Sequence, residues 1–132
     1  MSERVGYKLQ NFKKAIERLR EAVIGVQQLR DNRIMQDGLI QRFEFTFELA
    51  WKTSKVKLES QGLHDAVSPK TVLKELYALK WIDDETTWLE MLKDRKMTSH
   101  IYDESVADEI TDRVMNKYLK VFEELYKKLN TV

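Results

Sequence analysis

Arg95, His100 and Tyr102 stand as Arg95-x4-His100-x-Tyr102 inside the run WLEMLKDRKMTSHIYDE, residues 88–104. An arginine guanidinium is a planar fork of N–H donors that matches a phosphate. An imidazole gives and takes protons near neutral pH. Together the two suit metal-free cleavage of RNA. His100 would handle the proton of a ribose 2′-hydroxyl or of the leaving oxygen, and Arg95 would hold the charged phosphate. Without the proton transfer, the same pair is a phosphate-binding site. A plain structural role also fits these residues. Arg95 and Lys96 near a helix C-terminus are favourable partners of its dipole, His100 can bond loose carbonyls there, and Tyr102 can pack on the body of the protein.

On one continuous helix, five residues separate two side chains by about 140°, so Arg95 and His100 could not converge. Thr98 and Ser99 are moderate helix formers, and a helix ending near Met97 lets the chain turn His100 back toward Arg95. In an extended linker, His100 and Tyr102 point to the same side. Asp103 can then cap the next helix, whose N-terminus adds donors for an anion. The chemistry therefore requires a helix–loop–helix corner.

The rest of the sequence supplies helices to hold that corner. Five helical segments and no strands are expected. The first runs from about Glu3 to Leu29, with Leu9, Phe12, Ile16, Leu19, Val23 and Val26 on one stripe. RDNR (30–33) breaks the pattern, and a second helix runs from Ile34 to Gln61, stopped by Gly62. Ser68 and Pro69 open a third, and Asp83 or Asp84 caps the fourth. The fifth runs from about Asp103 to Leu129, roughly 40 Å, with Val106, Ile110, Val114, Tyr118, Val121, Leu125 and Leu129 as its stripe. Three long and two short amphipathic helices predict an all-α, antiparallel up-and-down bundle of the four-helix type, one domain over residues 1–132.

The second helix has more apolar surface than one core needs. Leu39, Ile40, Phe43, Phe47, Ala50, Trp51 and Leu58 form a core sector, whereas Phe45, Leu49 and Val56 fall on another, flanked by Arg42 and Lys52. Met115, Leu119 and Tyr126 widen the fifth helix in the same way. Either the second helix is central, or its extra strip meets another subunit. Phe43, Phe45, Phe47 and Trp51 could also stack bases, although helical spacing favours core packing. Glu48 and Lys52 form a local i,i+4 pair.

Composition narrows the classes. The chain has 132 residues, 42% hydrophobic and 34% charged, which suits a folded globular domain. Net charge is +1, so any anion site must be local. There is no cysteine, hence no disulfide and no thiolate metal site. No apolar run reaches membrane length, and the first residues lack a signal-peptide core; a cytoplasmic protein with no membrane contact is expected. His64 sits in a loop-like stretch far from His100, with no H-E-x-x-H spacing. No metal, and with no glycine-rich phosphate loop no cofactor, is expected.

QRFEFTFELAWK and the run around Arg95 resemble the nucleotidyltransferase substrate-binding protein family of the HEPN (higher eukaryotes and prokaryotes nucleotide-binding) superfamily. The resemblance extends over almost the whole chain, including SPKTVLKE and the acidic start of the fifth helix. It implies an HEPN-like helical bundle that forms a homodimer, with a separately encoded minimal nucleotidyltransferase as partner. In the related toxin branch, Arg-x4-His-x-Tyr forms a ribonuclease site at the dimer interface, and the nucleotidyltransferase acts as antitoxin by adding AMP to the motif tyrosine. Carried onto this chain, Arg95 contacts phosphate, His100 is the acid/base and Tyr102 is the modified residue. The family often has asparagine after the arginine, where this chain has Lys96. An added cation either strengthens phosphate binding or accompanies loss of cleavage. Two readings stay open: a partner subunit that binds nucleotide or RNA, and a metal-independent ribonuclease toxin.

Overall fold

The structure, a computed structural model, describes residues 3–132. Among the described residues six α-helices follow in order: α1 (Glu3–Gln28), α2 (Arg33–Ser60), α3 (Pro69–Ala78), α4 (Glu85–Met97), α5 (Glu104–Arg113) and α6 (Leu119–Thr131). A 3-10 turn, Thr98–His100, follows α4, and a π turn, Val114–Tyr118, joins α5 to α6 in a single rod. Among the described residues there is no strand.

The caps of α3, α4 and α5 fall on residues expected to make them. Asn32 accepts from the Met35 amide to start α2. Ser68 and Thr71 form a capping box with Pro69 in the first turn of α3. Of the two aspartates before α4, Asp84 is the cap and accepts from the Thr87 amide at 3.0 Å. Asp103 caps α5.

Long-range contacts fix the directions. Arg42 donates to the Arg18 carbonyl and Thr53 to that of Lys8, so α2 runs antiparallel to α1. Glu44 of α2 lies by Arg95, and Phe47 packs on Trp88, so α4 runs antiparallel to α2. Asp94 meets Arg113 and Glu90 meets Lys117, which turns the α5–α6 rod back down. The result is an up-down-up-down bundle with α3 inserted in the second crossing. The turn between α1 and α2 and the corner between α4 and α5 share one pole. There, Arg33 reaches Asp108 at 2.8 Å and Glu104 at 3.2 Å.

The core is rich in aromatics. Phe43 stacks on Tyr118 with ring centroids 5.4 Å apart, and Trp88 meets Phe122 edge-on at 5.7 Å. Phe12, Phe47, Leu19, Leu39 and Leu58 are also fully buried. Burying one such side chain is worth roughly 1.5–3 kcal/mol.

Several expected positions differ. Val56, placed on the outer strip of the second helix, is buried, whereas Trp51, placed in the core sector, is half-buried and donates its indole N–H to Glu48 at 3.1 Å. Phe43 and Phe47 are interior, so of the four aromatics considered for stacking Phe45 alone stands well exposed, at 61%. On the last rod, Phe122 rather than Val121 faces the core. The π turn fits one extra residue into the rod; beyond it Leu125 and Leu129 are buried as expected.

Candidate functional site

The corner is built by α4 running out of helix-forming residues. Thr98 donates its hydroxyl to the Arg95 carbonyl at 2.8 Å, which satisfies one of the free carbonyls of the helix end. The chain then tightens into the 3-10 turn instead of extending. His100 ends that turn, and Ile101 keeps helical angles, φ −71 and ψ −7. The expected extended linker is therefore a turn. His100 and Tyr102 still stand close, with ring centroids 6.1 Å apart and planes tilted by 53°. His100 is exposed and Tyr102 is 82% exposed. Lys96 is exposed on the preceding turn.

Arg95 takes a different direction. Its guanidinium lies on α2, with Nη1 3.0 Å from Glu44 Oε2 and Nε 3.3 Å from Glu48 Oε1. Nε is buried, yet not aligned to hydrogen-bond. Each side chain of this trio is about one-third exposed, at 32%, 35% and 32% in the order Arg95, Glu44, Glu48. Thr98 Oγ1 also approaches Glu44 Oε2, at 3.3 Å. Glu48 Oε2 accepts from Trp51 and lies 3.7 Å from Lys52 Nζ. The structure thus brings His100 and Tyr102 together at the surface and joins Arg95 to two carboxylates of α2.

The first turn of α5 carries its own acid. Asp103 accepts from the Ser105 hydroxyl at 2.8 Å and from the Ser105 amide at 3.0 Å, and these bonds hold its carboxyl below the usual range. One helix-end donor is therefore already used, and Glu104 stands next to it.

A second polar centre was not legible in the sequence. Asp94, buried, accepts from Arg113 Nε at 2.7 Å and Nη2 at 2.8 Å, and from the Tyr118 hydroxyl at 2.5 Å. Burial and the Asp94 carboxylate push the Tyr118 phenol well above its ordinary value. The bond to Asp94 likewise raises the Arg113 guanidinium. This fork locks α4 to the rod across the π turn. A groove of about 530 Å³ between α4 and α5, lined in part by Lys93, Met97 and Val106, opens beside it. The signal in the sequence was weak: a lone aspartate before the more conspicuous Arg95.

Among the described residues no group of three or more histidines, aspartates or glutamates could hold a metal ion. His64 is exposed between α2 and α3. No helix is long and apolar enough to cross a membrane among the described residues.

Comparison with known proteins gives four matches. The model of the family described as nucleotidyltransferase substrate binding protein like matches residues 7–131. A solved structure from Haemophilus influenzae, HI0074, superposes with a TM-score of 0.82 at 25% identity, covering 92% of this chain and 98% of that one. It is described as revealing the fold of a substrate binding domain of a nucleotidyltransferase. A crystal structure from Thermus thermophilus superposes with a TM-score of 0.81 at 30% identity, covering 89% and 98%. Among curated proteins, the chain is 34% identical to the probable ribonuclease HepT of Haemophilus influenzae, over 56% of each. The chain thus spans little more than half the length of that relative.

Proposed function

Because this chain belongs to the nucleotidyltransferase substrate binding protein-like family, we propose that it is the helical partner subunit of a separately encoded minimal nucleotidyltransferase, presenting nucleotide or RNA phosphate at the Arg95–His100–Tyr102 corner. The observation that carries this reading is the match over residues 7–131, which takes in the whole bundle and the corner together. The geometry fits such a role. Tyr102 is open to a second protein, so a nucleotidyl group can be delivered to its hydroxyl without unfolding. Lys96 and His100 are exposed beside it and supply positive or proton-donating groups for a phosphate.

The subunit works as a homodimer in a cytoplasmic complex. Its dimer seam is the exposed Phe45 with the half-buried Leu49, which line one surface groove with Ala15 and Arg18 of α1.

The ribonuclease reading has one observation in its favour, the partial likeness to HepT. One experiment separates the two. The purified chain and its His100→Ala variant are incubated with RNA alone without metal; a second arm adds a minimal nucleotidyltransferase with a nucleoside triphosphate and Mg2+, so that the Tyr102 oxygen takes the nucleotidyl group and pyrophosphate leaves. The partner-subunit reading expects co-purification, intact RNA and a mass increase of one nucleotidyl group on Tyr102 that Tyr102→Phe abolishes. RNA degraded by the chain alone, and spared by His100→Ala, would replace it with the ribonuclease reading.

A further inference from the structure

Two arginines in this fold hold carboxylates in contrasting ways. Arg113 grips the single carboxylate of Asp94 with two aligned bonds of 2.7 and 2.8 Å. That is the geometry of a structural fork. Arg95 is instead shared between two carboxylates, at 3.0 and 3.3 Å, with its Nε buried and unaligned. The two glutamates are also held differently. Glu48 is anchored from behind by the Trp51 indole at 3.1 Å, leaving Oε1 toward Arg95. Among the described residues, Glu44 meets only the Thr98 hydroxyl, at 3.3 Å, besides Arg95.

We propose that Glu44 sets the phosphate affinity of the corner by occupying the Arg95 Nη1 donor that a phosphodiester would take, while Glu48, anchored by Trp51, keeps Arg95 in position. This rests on the phosphate-binding reading above and adds to it two residues of α2. With Lys52 counted, Glu44, Glu48 and Arg95 form a cluster of no net charge, so the site does not attract an anion until Glu44 yields. Ion pairs that are about one-third exposed are still partly screened by water, so Glu44 can yield. A phosphate that displaces Glu44 meets a guanidinium already oriented from below, and Glu44 swings to solvent. The ligand class is a phosphodiester backbone, met as a single RNA strand.

The test is binding of a single-stranded RNA decamer to the intact chain, followed by fluorescence anisotropy across a salt series. Four proteins are compared: wild type, Glu44→Gln, Arg95→Ala and the double variant. Glu44→Gln is expected to tighten binding by about 3- to 10-fold at low salt, as removal of one nearby like charge implies. Its log–log salt slope should steepen by about 0.7, the increment for one more contact to a single strand. In the Arg95→Ala background the glutamine should have little effect. Glu44→Asp keeps the charge but shortens the reach; it should tighten binding by less, and it serves if the glutamine variant does not fold. If Arg95→Ala binds like wild type, the phosphate reading itself falls, and this proposal with it. If Arg95→Ala weakens binding but Glu44→Gln and Glu44→Asp change neither affinity nor slope, Glu44 is overturned while the reading stands. Equal tightening with and without Arg95 overturns it too, as a general charge effect.

Discussion

Tyr118 is buried and gives its hydroxyl to Asp94 at 2.5 Å, and this makes the stability of the fold depend on alkaline pH. Its folded pKa lies above the ordinary value near 10, so the unfolded chain loses that proton first. The phenol's contribution is complete below about pH 10. It then declines by about 1.4 kcal/mol per pH unit as the unfolded phenol ionises and the folded one does not. Tyr118→Phe should cost about 1 kcal/mol at neutral pH and flatten that decline, read from urea midpoints between pH 9 and 11. Equal slopes in both proteins would remove the phenol from the account. At this scale the sequence was half readable. Arg95, His100 and Tyr102 stood out because few side chains do phosphate and proton chemistry. Their partners did not, because a glutamate on an amphipathic helix is unremarkable until a second helix is laid on it. Glu48 was visible only as the i,i+4 partner of Lys52, and Glu44 not at all.

Two helices end with the same hydrogen-bond pattern and different residues. After α2, Gly62 takes φ +84 while the Leu63 amide reaches back to the Leu58 carbonyl. After α3, Lys80 takes φ +62 while the Trp81 amide reaches back to the Leu76 carbonyl at 2.8 Å. Glycine is at ease in this left-handed region, and lysine is strained by its Cβ. Lys80→Gly should therefore stabilise the fold by about 0.5–1 kcal/mol, seen as a higher urea midpoint. The π turn makes a further claim at the level of elements. Phe122→Ala should cost about 3–5 kcal/mol, whereas Val121→Ala, on a half-buried position, should cost under about 1 kcal/mol. Helix number, order and caps were readable because 3.6-residue periodicity and Ser, Asp, Asn and Pro at helix starts have local causes. The π turn was not, because Val121 and Phe122 are both apolar and either could have faced inward. The residues that bracket it, Arg113 and Tyr118, both bond to Asp94 of another helix, a pairing no local pattern shows.

For the molecule as a whole, composition and periodicity were enough to reach an all-α up-and-down bundle, since few residues interrupt the helices and the charges are balanced. They left open which surplus apolar residues are interior. Val56 is interior; Phe45 is not. If the Phe45 strip is the homodimer seam, Phe45→Glu should convert a dimer into a monomer in sedimentation with helicity unchanged. An unchanged mass would move the seam elsewhere. The two poles of the bundle also differ in what joins them. At the pole bearing Tyr102, Arg30 is bonded to Asp112, and Arg33 to Glu104 and Asp108. Toward the opposite pole Trp81, Ile82, Trp88 and Leu125 are buried. Dissolved ions shorten the reach of charge from about 10 Å at 0.1 M to about 3 Å at 1 M, and leave apolar burial intact. Brine would thus loosen above all the tip that carries Tyr102, while the buried indoles keep their grip.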